Sequence, residues 1–221
     1  MSARALMVIA KEPVAGRSKT RLTPPCSPAQ AAALAQAALS DTLAAVAATP
    51  ADRRIVVLEG RPGAWLPAGF EVLAQRGRGL AERLAAAFAD CGDPAFLLAM
   101  DTPQVTPALL GDALARIGRP GVDAVLGPTP DAGYWGIGLR RPHAAVFTGV
   151  PMSSPDTLAA QRARLAALGL HTDTLATLED VDGITDARRV ARAAPTTRFA
   201  RALERSGHLA EDHEAVAQAA G

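Results

Sequence analysis

Ala95-Phe96-Leu97-Leu98-Ala99-Met100-Asp101-Thr102-Pro103 passes from an unbroken apolar run into a carboxylate and a turn. Residues 95–100 have the length of a strand and no polar alternation, so both faces of that strand should be buried. Shortly after it, Thr106-Pro107 sets an N-cap residue before a proline at the first helical position. A helix is expected from there to about residue 117. One buried strand that feeds a capped helix is the unit of a parallel sheet.

The unit repeats on either side. Strands are expected at residues 4–10, 53–59, 70–74, 122–126, 134–139 and 171–175. Ser27-Pro28 opens a helix to about residue 48, and Ser154-Pro155 opens another to residue 168. Residues 80–89 are helical by the four-residue spacing of Leu80, Leu84 and Phe88. The pattern predicts a three-layer α/β/α domain over residues 1–195 with a mostly parallel mixed sheet. Strand 134–139 follows strand 122–126 without a helix between them, which implies an antiparallel strand or a long excursion near the site. Residues 196–221 read as a helical or partly disordered tail.

Composition narrows the function. The chain has 221 residues, 49% hydrophobic and 20% charged, enough to bury a core. A net charge of +1 leaves no extended field for a nucleic-acid backbone, so any phosphate must be bound locally. Cys26 and Cys91 lie far apart and outside any metal spacing. The apolar run near the start is too short for a leader peptide, and no stretch is expected to reach the roughly 20 residues of a membrane span. A cytoplasmic protein is expected.

Of the 23 basic residues only Lys11 and Lys19 are lysines, and both fall in one short loop. Where arginine is used everywhere else, a lysine marks a position that wants a compact, rotatable charge. That loop, Lys11-Glu12-Pro13-Val14-Ala15-Gly16-Arg17-Ser18-Lys19-Thr20-Arg21-Leu22, offers four cations, two hydroxyls and a glycine at the end of the first strand. It suits a polyphosphate, although it has neither the Walker A nor the dinucleotide glycine pattern. Asp101, at the carboxyl end of its strand, can hold a hard divalent cation or merely order the turn before Pro103. Gly127-Pro128-Thr129-Pro130-Asp131-Ala132-Gly133-Tyr134-Trp135 is either a wall for a ligand or a turn followed by core aromatics. Asp180 and Asp182 alternate in an extended segment, so they can share a face around a cation or form a solvated acidic turn.

The order of these segments resembles the bacterial DUF2064 family. It is carried by Lys11-x-Pro13-x-x-Gly16-x-Ser18-Lys19-Thr20-Arg21-Leu22, Met100-Asp101-Thr102-Pro103, Gly133-Tyr134-Trp135-x-Ile137-Gly138-Leu139 and Asp180-Val181-Asp182, over roughly residues 6–189. The resemblance implies a GT-A-like fold related to nucleotidyltransferases such as 2-phospholactate guanylyltransferase. It implies donor phosphates at Lys11, Gly16, Ser18, Lys19 and Arg21, and Mg²⁺ or Mn²⁺ at Asp101, Asp180 and Asp182. Asp131, Gly133 and Tyr134 match the family's turn near a small acceptor; if that turn faces the acceptor, Asp131 would orient the attacking hydroxyl or act as its general base. Three departures touch the acceptor side more than the phosphates: Ala132 replaces a glycine, Met152 replaces a tryptophan, and Arg78-Gly79-Leu80-Ala81-Glu82-Arg83 replaces Gly-Asp-Leu-Gly-Glu-Arg.

The function expected is metal-dependent transfer from a nucleotide or sugar-nucleotide donor, by direct displacement. No Ser–His or Cys–His pair points to a covalent intermediate. Nucleotidyl transfer from an NTP and glycosyl transfer from a sugar nucleotide both remain open. A non-catalytic nucleotide-binding or scaffolding module is the alternative.

Overall fold

A computed structural model describes residues 4–210. Seven strands form one sheet: β1 (Ala5–Lys11), β2 (Arg53–Glu59), β3 (Glu71–Ala74), β4 (Ala95–Ala99), β5 (Ala124–Pro128), β6 (Tyr134–Leu139) and β7 (Thr172–Thr174). Their order is β3-β2-β1-β4-β6-β5-β7. Only β6 runs against the rest, between β4 and β5. Of the two readings the sequence allowed for residues 134–139, the structure takes the antiparallel strand.

Helices α1 (Pro28–Ala48), α2 (Leu80–Cys91), α3 (Pro107–Gly118), α4 (Thr157–Ala167), α5 (Ile184–Ala193) and α6 (Arg198–Arg205) surround the sheet. Successive residues of β1 face opposite layers. Leu6 and Val8 pack with Leu39 and Leu43 of α1 and Leu110 of α3, whereas Ala5 and Met7 pack with Leu84 and Phe88 of α2. This two-sided burial explains why the central strands read as continuous apolar runs. In β6, Gly136 passes Phe96 so closely that a Cβ would collide with the ring, and Trp135 meets Phe96 edge-on at 5.3 Å. Trp135, Gly136 and Gly138 thus lock β6 against Phe96 of β4.

The proline starts hold for α1 and α3. Ser27 accepts from Gln30 N, and Thr106 accepts from Leu109 N at 3.2 Å. Helix α4 begins later than Ser154-Pro155 implies, because the Thr157 hydroxyl bonds Pro151 O and Ser154 O in a preceding turn. Helix α5 has no counterpart among the elements expected from the sequence. Its buried face is only Ala187, Val190 and Ala191 among arginines, which leaves no apolar run to read. Within the expected tail, α6 docks on α1: Asp41 accepts from Arg198 N and Phe199 N, and Phe199 and Leu203 join Leu34 and Val190 in a third cluster. Residues 211–221 lie outside the described residues.

One expectation is corrected. Helix α1, with 21 residues, is long and apolar enough to cross a membrane by length and composition. Its apolarity comes largely from alanine, and Leu34, Leu39, Leu43 and Val46 are buried between the sheet and the third cluster. It is packed as a core helix.

Candidate active site

The parallel strands end on one edge of the sheet, where open α/β folds bind ligands. There β1 gives way to the lysine-bearing loop. Gly16 turns it at φ 75°, in a region that favours glycine. The Ser18 hydroxyl donates to Glu12 O at 3.0 Å and accepts from Val14 N at 3.0 Å, so it braces the loop from inside. Lys19 takes a left-handed φ of 49°, and a short 3-10 turn, Thr20–Leu22, then buries Leu22.

This backbone turns Lys19 inward. Its ammonium donates to Asp101 Oδ2 at 2.6 Å and to Val181 O, while Val181 N donates to Asp101 O at 3.0 Å. The first loop, the end of β4 and the late acidic segment are therefore joined at one point. The pair is largely enclosed, with Lys19 14% and Asp101 20% exposed. Asp101 Oδ1 is buried without a hydrogen-bond partner among the described residues.

Asp180 lies in the same electrostatic neighbourhood. Burial first, then the negative charges of Asp101 and Asp131, push its carboxyl from 3.8 up to about 6, with Lys19 pulling the other way. Asp182 turns instead to Arg21, in an exposed ion pair. The three expected metal ligands thus divide. Among the described residues no group of three or more His, Cys, Asp or Glu side chains forms a cation cage.

The turn after β5 has a mixed character. Asp131 Oδ1 accepts from the Thr129 hydroxyl and from Gly133 N at 3.1 Å, an arrangement that orders the turn. A Cβ on Gly133 would come within 2.9 Å of Thr129 Oγ1. Ala132 sits at φ 65°, which shows why a glycine suits that position. The Tyr134 hydroxyl reaches Gln161 at 3.3 Å and Met152 Sδ at 3.7 Å, within the layer of α4. Burial pushes its pKa upward. Tyr134 is part of the packing behind the turn, and its hydroxyl is not turned to the cleft.

The cleft itself, about 550 Å³, runs from Lys11 and Lys19 to the start of α2. Arg17, one of the four cations of the loop, lines it together with Gln75, Arg78 and Arg83, to which the sequence reading assigns no role at the site. Gln75 Nε2 donates to Ala10 O at 2.7 Å and Val57 O at 3.1 Å, which ties the floor together. Arg83 pairs with Glu59, and Lys11 reaches the same carboxylate at 3.5 Å. The exposed Arg17 and Arg78 side chains make no ion pair among the described residues. Two guanidinium groups without an ion pair among the described residues suit this end of the cleft to an anion, while the Glu82 carboxylate already accepts from Arg78 N at the start of α2.

The family described as an uncharacterized protein conserved in bacteria, DUF2064, matches residues 31–154, more than half of the chain. The chain belongs to the DUF2064 family. The match includes Asp101, Asp131 and the turn of this DUF2064 protein, while its lysine loop and late aspartates lie outside the matched range. No curated protein matches the sequence. Among solved structures, a candidate nucleotide-diphospho-sugar transferase from Desulfovibrio desulfuricans G20 is similar at 25% identity and TM-score 0.84, over 95% of this chain and 97% of that one. CMP:2-keto-3-deoxy-manno-octonic acid synthetase, solved with CTP, is similar at 13% identity and TM-score 0.58, over 88% of this chain and 99% of that one. Rv0371c from Mycobacterium tuberculosis H37Rv, solved with manganese, is similar at 23% identity and TM-score 0.53, over 86% and 98%. The DUF2064 protein therefore has the fold of nucleotide-sugar and nucleotidyl transferases.

The raised Asp180 carboxyl makes a pH prediction. Below about pH 4 the group is protonated both folded and unfolded and contributes nothing. Between about pH 4 and 6 the unfolded chain gives up its proton while the folded one retains it, so the burden on the fold grows. Above about pH 6 the folded protein carries the full cost of the buried charge. Asp180→Asn should therefore stabilise the metal-free protein above that pH and not below pH 4. Denaturation midpoints of both proteins in chelator across this range check it; a gain that does not change with pH contradicts it.

Proposed function

We propose that this DUF2064 protein is a transferase that binds the phosphates of a nucleotide-activated donor in its cleft and passes part of the donor to a small acceptor. The observation that carries the reading is the convergence of Lys11, Arg17, Lys19, Arg78 and Arg83 on one cleft that ends at Asp101. Cations along one wall neutralise phosphates, and a carboxylate at the end suits a divalent cation shared with them. Arg21, in its exposed pair with Asp182, also lines the cleft.

The residues fit Mg²⁺ or Mn²⁺. Such ions are held by one or two carboxylates together with substrate phosphates, so a cage of three protein ligands is not required. The buried Asp101 Oδ1, which has no hydrogen-bond partner among the described residues, and the neighbouring Asp180 are the groups that would hold it. When bound, the ion supplies positive charge at the donor phosphates and offsets charge on the leaving group. Lys11 and Arg83 orient the donor from the Glu59 side, and Arg17 and Arg78 draw its phosphates into the cleft. Asp131 takes the acceptor proton. Direct displacement is in keeping with the free thiols, since Cys26 and Cys91 are both buried in cores. A cytoplasmic setting goes with a donor of this kind.

The test is a melting-temperature panel of NTPs and sugar nucleotides with and without Mn²⁺, because a ligand of the native state raises stability by mass action. The donor that raises it is then incubated with candidate acceptors. Pyrophosphate as product identifies nucleotidyl transfer; a nucleoside diphosphate identifies glycosyl transfer. If no donor stabilises the protein, with or without metal, the proposal fails.

A further inference from the structure

Lys19 lines the cleft proposed for the donor phosphates, yet in the structure its ammonium is committed to a carboxylate. We infer that Lys19 stands in for the divalent cation at Asp101, so that metal and donor must arrive together to release it. The inference rests on the transferase reading above.

Three observations carry it. The ammonium contacts Asp101 Oδ2 at 2.6 Å and Val181 O, two oxygen ligands of the kind a hard cation takes. It does not saturate the site, since Asp101 Oδ1 is buried and has no hydrogen-bond partner among the described residues. Lys19 also lines the phosphate cleft, on a loop residue held at a left-handed φ of 49°, so the same side chain can serve the donor once it leaves the carboxylate. The choice of lysine agrees. A guanidinium is planar and wide, whereas an ammonium is a compact charge on a rotatable stem, and this chain uses lysine at only two positions.

The consequence is coupling. A metal ion alone must displace a fixed positive charge from Asp101 and leave that charge close by. A donor alone competes with Asp101 for the ammonium. Bound together, the ion takes Asp101 and the ammonium turns to the phosphates, so each raises the affinity of the other by an equal factor.

The experiment measures Mn²⁺ binding directly, by the loss of the free-ion paramagnetic resonance signal, with and without inorganic pyrophosphate as the phosphate probe. Wild-type protein should bind Mn²⁺ at least about tenfold more tightly when pyrophosphate is present, after correction for Mn²⁺ held by pyrophosphate in solution. Lys19→Met keeps the length and removes the charge. It should bind Mn²⁺ without pyrophosphate about tenfold or more tightly than wild type, and lose most of the mutual enhancement. Lys19→Gln is made alongside it, and melting curves establish which variants are folded. Equal or weaker Mn²⁺ binding in a folded variant overturns the inference, as does a wild-type affinity that pyrophosphate does not change. Mn²⁺ binding that Asp101→Asn leaves unchanged in the presence of pyrophosphate overturns it as well, whereas the transferase reading fails separately, if no NTP or sugar nucleotide raises the melting temperature of the wild-type protein.

Discussion

Asp101→Asn is expected to reduce transfer by about 10²–10³-fold while the protein remains folded, the scale of losing one electrostatic contact to developing charge. Asn has the shape of Asp and retains an oxygen for Lys19, so the stitch between β4 and the first loop survives as a weaker, neutral hydrogen bond. The Asp101 backbone carbonyl still accepts from Val181 N. What disappears is the negative charge that Lys19 now shares and that a divalent cation would use. Donor affinity in the absence of metal should rise or stay level, because the ammonium is no longer held by a carboxylate. Donor affinity in its presence should fall. Turnover, donor affinity at several Mg²⁺ concentrations and melting temperature are measured on one preparation. A turnover close to that of wild type would remove Asp101 from the chemistry; a parallel collapse of melting temperature would reassign it to structure.

The layers were legible because burial on both faces writes an unmistakable pattern into β1, β2 and β4, and because Ser27-Pro28 and Thr106-Pro107 mark helix starts chemically. Helix α5 had no such signal: its buried side is two alanines and a valine between arginines. The site divides along similar lines. Lys19 and Asp101 stand out in the sequence, one as a rare lysine and the other as the first charge after an apolar strand, and they meet in the structure. Asp180 and Asp182 alternate as expected, yet Val181 between them is buried in the third cluster and bonded to Asp101. Asp180 lies by Asp101, whereas Asp182 leads into α5 and meets Arg21. Periodicity gives a shared face but not the partner that each residue finds across the chain. Arg78 and Arg83 were the least legible. Arginine is so common in this sequence that its presence marks nothing, and only the return of β3 into α2 brings Arg78 and Arg83 to the cleft. Tyr134 was visible as the only tyrosine, but its hydroxyl belongs to the α4 layer.

Asp131→Asn separates the two roles that the turn after β5 can combine. One carboxylate oxygen is occupied: Oδ1 accepts from the Thr129 hydroxyl and from Gly133 N. Oδ2 makes no hydrogen bond among the described residues, and Asp131 is exposed beside the charge field of Asp180. A carboxylate with one oxygen anchored and the other open is suited to take a proton from an acceptor hydroxyl, and a positioned base contributes about 10²–10⁴-fold to rate. The Asn carbonyl can occupy the Oδ1 position and preserve the turn, so its melting temperature should remain near that of wild type. Donor affinity should also stay level, because the phosphate cleft is lined elsewhere. Turnover should fall by about 10²–10⁴-fold, and the loss should lessen as pH rises and more of the acceptor is ionised without help. If Asp131 only shapes the turn, the substitution leaves transfer intact whenever the fold is intact. Rate against pH, donor affinity and melting temperature on the same variant distinguish these outcomes, and an unchanged rate in a stable protein excludes Asp131 as the base.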